Sequence, residues 1–124
     1  MTRRSKKAGK QIAAAFAGRW RIVEMELWDE DAIDLDGEGN FTFTDGEQGR
    51  FQFICVHGFM DCRYSGSPDE PRVDFSWEGS DEDTPVSGRG WATIDDDHIE
   101  GRIFIHNGDD SSFRARRATS PHGS

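Results

Sequence analysis

The sequence predicts an all-β domain, a single antiparallel barrel of about eight strands behind a short N-terminal helix. Three observations carry this. After Gly18 the chain breaks into short segments separated by turn residues roughly every ten positions, the cadence of an antiparallel barrel or sandwich. Within segments apolar residues alternate, as in Val73/Phe75/Trp77 and Ile99/Ile103/Ile105, so one face of each strand is apolar. The 124 residues contain nine Phe, four Trp and one Tyr, too many large apolar groups for a disordered chain, at the length of one domain.

The elements follow in order. Positions 1–10 hold Arg3, Arg4, Lys6, Lys7 and Lys10 and are expected to form a basic disordered arm. The domain spans 11–117, and 118–124 are expected to be a flexible tail. Ile12 to Ala17, behind the basic residues, is apolar but at the very bottom of the length range of a secretory leader, and runs straight into Gly18-Arg19-Trp20; it reads instead as a helix capping the domain. In Arg19 to Trp28 the apolar parity switches from Trp20/Ile22 to Val23/Met25/Leu27, which predicts a bulge. Asp29 to Gly39 is acidic and irregular. Strands are expected at 41–44, 51–57, 60–65, 72–77, 91–94, 98–106 and 113–116, with Gly79 to Gly88 as the longest loop.

A two-residue turn at Gly58-Phe59 would set Cys55 opposite Cys62, Phe53 opposite Tyr64 and His57 opposite Met60. Ile54 and Val56 would then face outward with Gln52, Asp61, Arg63 and Ser65. Such cross-strand thiols often make a strained bridge. The two cysteines form no Cys-x-x-Cys, and the simpler reading is a pair of reduced thiols in the cytoplasm.

Net charge is −9, but its distribution is uneven. From Arg19 to Phe113 there are seven Arg, no Lys and all 24 acids, a net −17. Such a body repels nucleic-acid phosphates and membrane surfaces, so neither is expected as a partner. No apolar run approaches the ~20 residues of a membrane-spanning helix.

Gly18-Arg19-Trp20 at the first strand, with Arg114 and Arg116 on the last, resembles the calycin folds, the lipocalins and their smaller relatives. The resemblance implies that an Arg from the last strand packs on Trp20 and closes one barrel end, since guanidinium stacks well on indole. Four further segments, Gly18 to Met25, Phe75-Ser76-Trp77-Glu78-Gly79-Ser80-Asp81-Glu82, Gly88-Arg89-Gly90-Trp91-Ala92 and His106-Asn107-Gly108-Asp109-Asp110-Ser111-Ser112-Phe113, resemble a family of small bacterial proteins without an assigned activity. That implies a compact bacterial cytosolic domain and no substrate.

Candidate chemistry is sparse. Asp34, Asp36, Glu38, Gly39 and Asp45 imitate the spacing of a calcium loop, but Phe41/Phe43 alternate like a strand and no amphipathic helix flanks them. Ser80 to Asp83 and Asp95 to His98 read as solvated turns, because neighbours on a strand point to opposite faces. No metal or cofactor is expected. Cys55 and Cys62 are the possible nucleophiles and His57, His98 and His106 the possible bases, but i,i+2 neighbours such as Cys55 and His57 stand ~7 Å apart. The balance is against an enzyme.

The leading functional reading is a non-catalytic barrel that binds a small amphipathic or anionic ligand. Its expected site is the barrel mouth, with Trp77, Arg89 and Trp91 joined by Tyr64 and Phe75. Arg89, free between two glycines, either captures the ligand's negative group or clamps the long loop through Glu78 or Asp81. The alternative is an interaction or homodimerisation domain whose core is filled and holds no ligand.

Overall fold

The computed structural model describes residues 10–44 and 46–118. Apart from Lys10 and Ala118, the expected basic arm and C-terminal tail lie outside the described residues. Helix α1 covers residues 10–16. Eight strands follow, with a single helical turn after the first: β1 (Gly18–Met25), α2 (Glu30–Ile33), β2 (Asn40–Phe43), β3 (Gln48–Phe53), β4 (Val56–Ser67), β5 (Glu70–Asp81), β6 (Thr84–Asp95), β7 (His98–Ile105) and β8 (Asp110–Arg117). Each strand pairs antiparallel with its neighbour, and β8 returns to β1, closing the barrel. Closure leaves no free sheet edge.

Alternation builds the core. Phe41 and Phe43 of β2, Phe51 and Phe53 of β3, Met60 and Cys62 of β4, and Val73, Phe75 and Trp77 of β5 all point inward and are buried. The rings pack on one another: Phe41 lies 4.4 Å from Phe113, and Phe51 meets Trp77 edge-on at 4.9 Å. Such contacts add about 0.5–1.5 kcal/mol per pair beyond the area they bury. Both ends are plugged. Ile12 and Phe16 of α1 are buried at one end, where Phe16 touches Phe43 and Tyr64. At the other, Ile33 is buried and Trp28 packs on Phe53 at 5.5 Å. The bulge in β1 falls between Ile22 and Glu24, where the register against β8 shifts, so that Trp20, Ile22 and Met25 can all face inward.

Three expectations need correction. The β3–β4 turn is at Ile54-Cys55, not Gly58-Phe59, since Phe53 pairs with Val56 and Gln52 with His57. Gly58 sits inside β4 because Phe51 and Trp77 lie over it: a Cβ there would be 2.4 Å from Phe51 Cζ and 3.0 Å from Trp77 Cε3. Moving the turn separates the thiols. Cys55 is in the turn, Cys62 pairs with Phe75 across β4–β5, and both are free. It also reverses a face, because Val56 is buried rather than outward.

Gly79 to Gly88 is not a long loop. β5 and β6 run on to a two-residue turn, Glu82-Asp83, with φ of 49° and 74°. Asp83 tolerates that left-handed backbone better than most residues, and Glu82 shares it in the tight turn with its charge exposed to solvent. The long connection is the one that contains α2. Asp29 caps that turn by accepting the Ala32 N–H at 2.9 Å.

The closing guanidinium belongs to Arg117, not to Arg114 or Arg116. Inward parity on β8 runs Ser111, Phe113, Ala115, Arg117, while Arg114 and Arg116 face out. Arg117 Cζ lies 3.9 Å from the centroid of the fully buried Trp20 ring. Its two terminal nitrogens donate to the carbonyls of Ala17 and Ala15 at 2.6 and 2.9 Å, and Trp20 Nε1 donates to Phe16 O at 2.8 Å. The stack therefore also ties down the C-terminal end of α1, whose last carbonyls lack helical partners.

Candidate functional site

With the interior occupied by rings, the residues left for recognition are those that alternate outward. Across the outer face of β4–β7 the register sets Phe59 opposite Glu78 and Glu78 opposite Ser87. In the next row Asp61, Ser76, Arg89 and Phe104 follow one another. These side chains border a shallow depression of about 880 Å³. Phe59 stands at its edge, 68% exposed, the most exposed of the large apolar side chains among the described residues, with Leu35 at 66% and Leu27 at 47%. Arg89 does not clamp Glu78 or Asp81. Its Cζ lies 4.7 Å from the Phe104 ring centroid, a cation–π contact pointing away from β5.

The five residues expected at the barrel mouth do not converge. Trp77 and Arg89 both border the outer depression, but the Trp77 indole points into the barrel and is 3% exposed. Phe75 is buried inside. Trp91 is on the outer face, covered by Arg72 at 4.8 Å, and Asp74 holds that guanidinium through two hydrogen bonds of 3.0 Å. Tyr64 sits at the far end against Phe16. The five share no mouth because β5 and β6 continue well past Trp77 and Trp91, and because their parity places these two indoles on opposite faces of the sheet.

The calcium-like spacing is consumed by protein contacts. Asp34 accepts the Gly39 N–H at 2.8 Å and meets Arg21, while Glu38 binds both Arg19 and Arg21. Asp36 lies 2.9 Å from His57 Nε2. Among the described residues no group of three or more His, Cys, Asp or Glu is placed to hold a metal ion. Cys55 shares this end with the His57–Asp36 pair, but its thiol is pushed up, first by burial and then by Glu82, Asp36 and Asp81. A nucleophilic cysteine needs the opposite surroundings.

Cys62 is buried in the core, and burial pushes its thiol up to about 11, with the Tyr64 hydroxyl partly opposing the rise. The folded state thus keeps a proton that the unfolded chain, at its ordinary 9.0, gives up. Stability from this thiol is fully present below pH 9.0 and is lost as pH rises towards about 11. Cys62→Ala is expected to be less stable than the parent at pH 8, with the gap between their urea midpoints closing above pH 9. A gap that stays constant to pH 11 would contradict the burial of this thiol.

No family model matches this sequence, and neither does any curated protein or solved structure. Among the described residues no helix is long and apolar enough to cross a membrane. Sequence reasoning missed Phe59, because it placed this residue in a turn. The available signal was the run Phe51/Phe53 against Gly58, which fits a ring packed over a glycine as well as it fits a bend.

Proposed function

We propose that this chain is a non-catalytic interaction module of the cytoplasm that works through the outer face of β4–β7, with the barrel as a rigid, filled support. The observation that carries the reading is the division between the two sides of the sheet. The inner side is packed with rings and plugged at both ends, whereas the outer side presents the exposed Phe59 beside a depression of about 880 Å³. Aromatic and Arg side chains are what protein interfaces concentrate. This favours the interaction reading over a small ligand held inside the barrel. The two free thiols support a reducing compartment. The stacking of Arg117 on Trp20 supports a calycin-like closure of the barrel, and membership of the small bacterial family is part of the same proposal on its sequence motifs alone.

A photo-crosslinking residue placed at Phe59 in living cells tests it, with Thr93 as the control site. Thr93 also faces outward on β6, away from the depression. Illumination is expected to give protein adducts from position 59 and none above background from position 93. Equal yields, or no adduct from 59, would contradict the reading.

A further inference from the structure

Three features of the outer face fit one another. Phe59 is a protruding ring that borders three separate depressions, of which the largest is about 880 Å³. Glu78 is an acid with no ion-pair partner within 4.0 Å among the described residues, and Arg89 is a base in the same condition. The two sit diagonally on adjacent strands, Glu78 opposite Ser87 and Arg89 opposite Ser76, yet do not meet, since Arg89 is drawn over Phe104. One face therefore holds a knob with a hollow, and a cation with an anion.

Accepting that the outer face is the binding surface, we propose that its partner is a second copy of this chain, joined by a twofold axis through the β5–β6 region. In such an interface whatever residue i meets in j, j meets in i. Phe59 of each copy enters the depression of the other, and Arg89 of each copy pairs with Glu78 of the other. Net charge works against this pairing at long range, because two copies with −17 bodies repel one another as either would repel any polyanion, so association is carried by the local contacts. A polycation would be drawn to the Asp81-Glu82-Asp83 turn, and would meet Arg89 as a like charge on this face. A second copy brings the matching acid to each base. Four strands about 4.8 Å apart and about five residues of ~3.4 Å rise give a footprint of about 19 Å by 17 Å. That is small for a specific interface, so the dimer is weak, with a dissociation constant on the order of 10–100 μM.

Sedimentation equilibrium of the full chain between about 5 μM and 1 mM in ~0.15 M salt tests the proposal, with circular dichroism confirming that each variant is folded. The parent is expected to pass from monomer to dimer. Arg89→Glu and Glu78→Arg, each alone, are expected to raise the dissociation constant about tenfold or more, because each brings like charges together. The double reversal is expected to restore it to within about threefold. Phe59→Ser is expected to abolish association. A parent that stays monomeric at 1 mM overturns the proposal, as does a dimer indifferent to both single reversals. A monomeric parent that still crosslinks from position 59 to a heavier protein discards the second copy but keeps the outer face as the binding surface. Absence of any adduct from position 59 removes both.

Discussion

Trp20→Ala is expected to cost about 3–5 kcal/mol in urea unfolding, the range for deleting a fully buried large aromatic. Trp20 is the floor of the barrel: its ring is completely buried, its N–H holds the end of α1, and Arg117 lies over it at 3.9 Å. Deleting the indole removes the partner of the guanidinium as well as the core volume. Arg117 then keeps its bonds to Ala15 and Ala17 but loses the surface that orients it. Trp20→Phe separates the two effects. It keeps a ring under Arg117 and loses the bond to Phe16 O, which is worth about 0.5–1.5 kcal/mol, plus the smaller ring's packing deficit. A loss below about 1 kcal/mol for Trp20→Ala would mean that this end of the barrel is not closed by Trp20.

The second large effect is expected at Gly58. Gly58→Val should destabilise by about 3 kcal/mol or prevent folding, because the added carbons overlap the Phe51 ring and press on Trp77, both held by surrounding rings. Phe59→Ser, one residue on, should change stability by no more than about 0.5 kcal/mol, since its side chain is 68% exposed. The contrast between neighbours is the informative result. A two-residue turn at Gly58-Phe59 would put position 58 in the left-handed backbone, where a side chain costs about 1–2 kcal/mol without touching the core, whereas inside β4 it collides with two core rings. Thermal melts of the two variants decide between these registers, and similar losses in both would contradict the register of β3 against β4.

The contrast also marks what was legible in the sequence. The eight strands, the antiparallel order and the bulge near Ile22 followed from apolar parity and turn spacing, because each depends only on residues close in the chain. The β3–β4 register did not. Its turn uses Ile54 with φ of 56°, a backbone that a β-branched residue adopts only when held there. The holding contact is long-range, from Ile54 N–H to Ile33 O at 2.8 Å. No local signal marks such a turn, whereas Gly58 carries the usual mark of one.

The same ambiguity of glycine produced the false loop at 79–88. Gly88 is in fact where the backbone of Phe104 and the Trp77 indole come close. Alternation sets Arg114 and Arg116 on the face opposite Phe113 and Ala115, but the motif does not say which of the two faces is inward. Counting alternation forward from the buried Phe113 and Ala115 selects Arg117. At the candidate site, Arg89 was legible as an exposed guanidinium between glycines. Its partner was not, because Phe104 reaches it only through the β6–β7 pairing. Phe59 was hidden by the register error alone.

The central claim is that the barrel is filled and recognition happens outside it. Native mass spectrometry of the protein released gently from cells tests this most directly. The account predicts the bare chain of 14.0 kDa and its whole-number multiples. A chain carrying a small molecule of a few hundred daltons that leaves only when the barrel unfolds would contradict it.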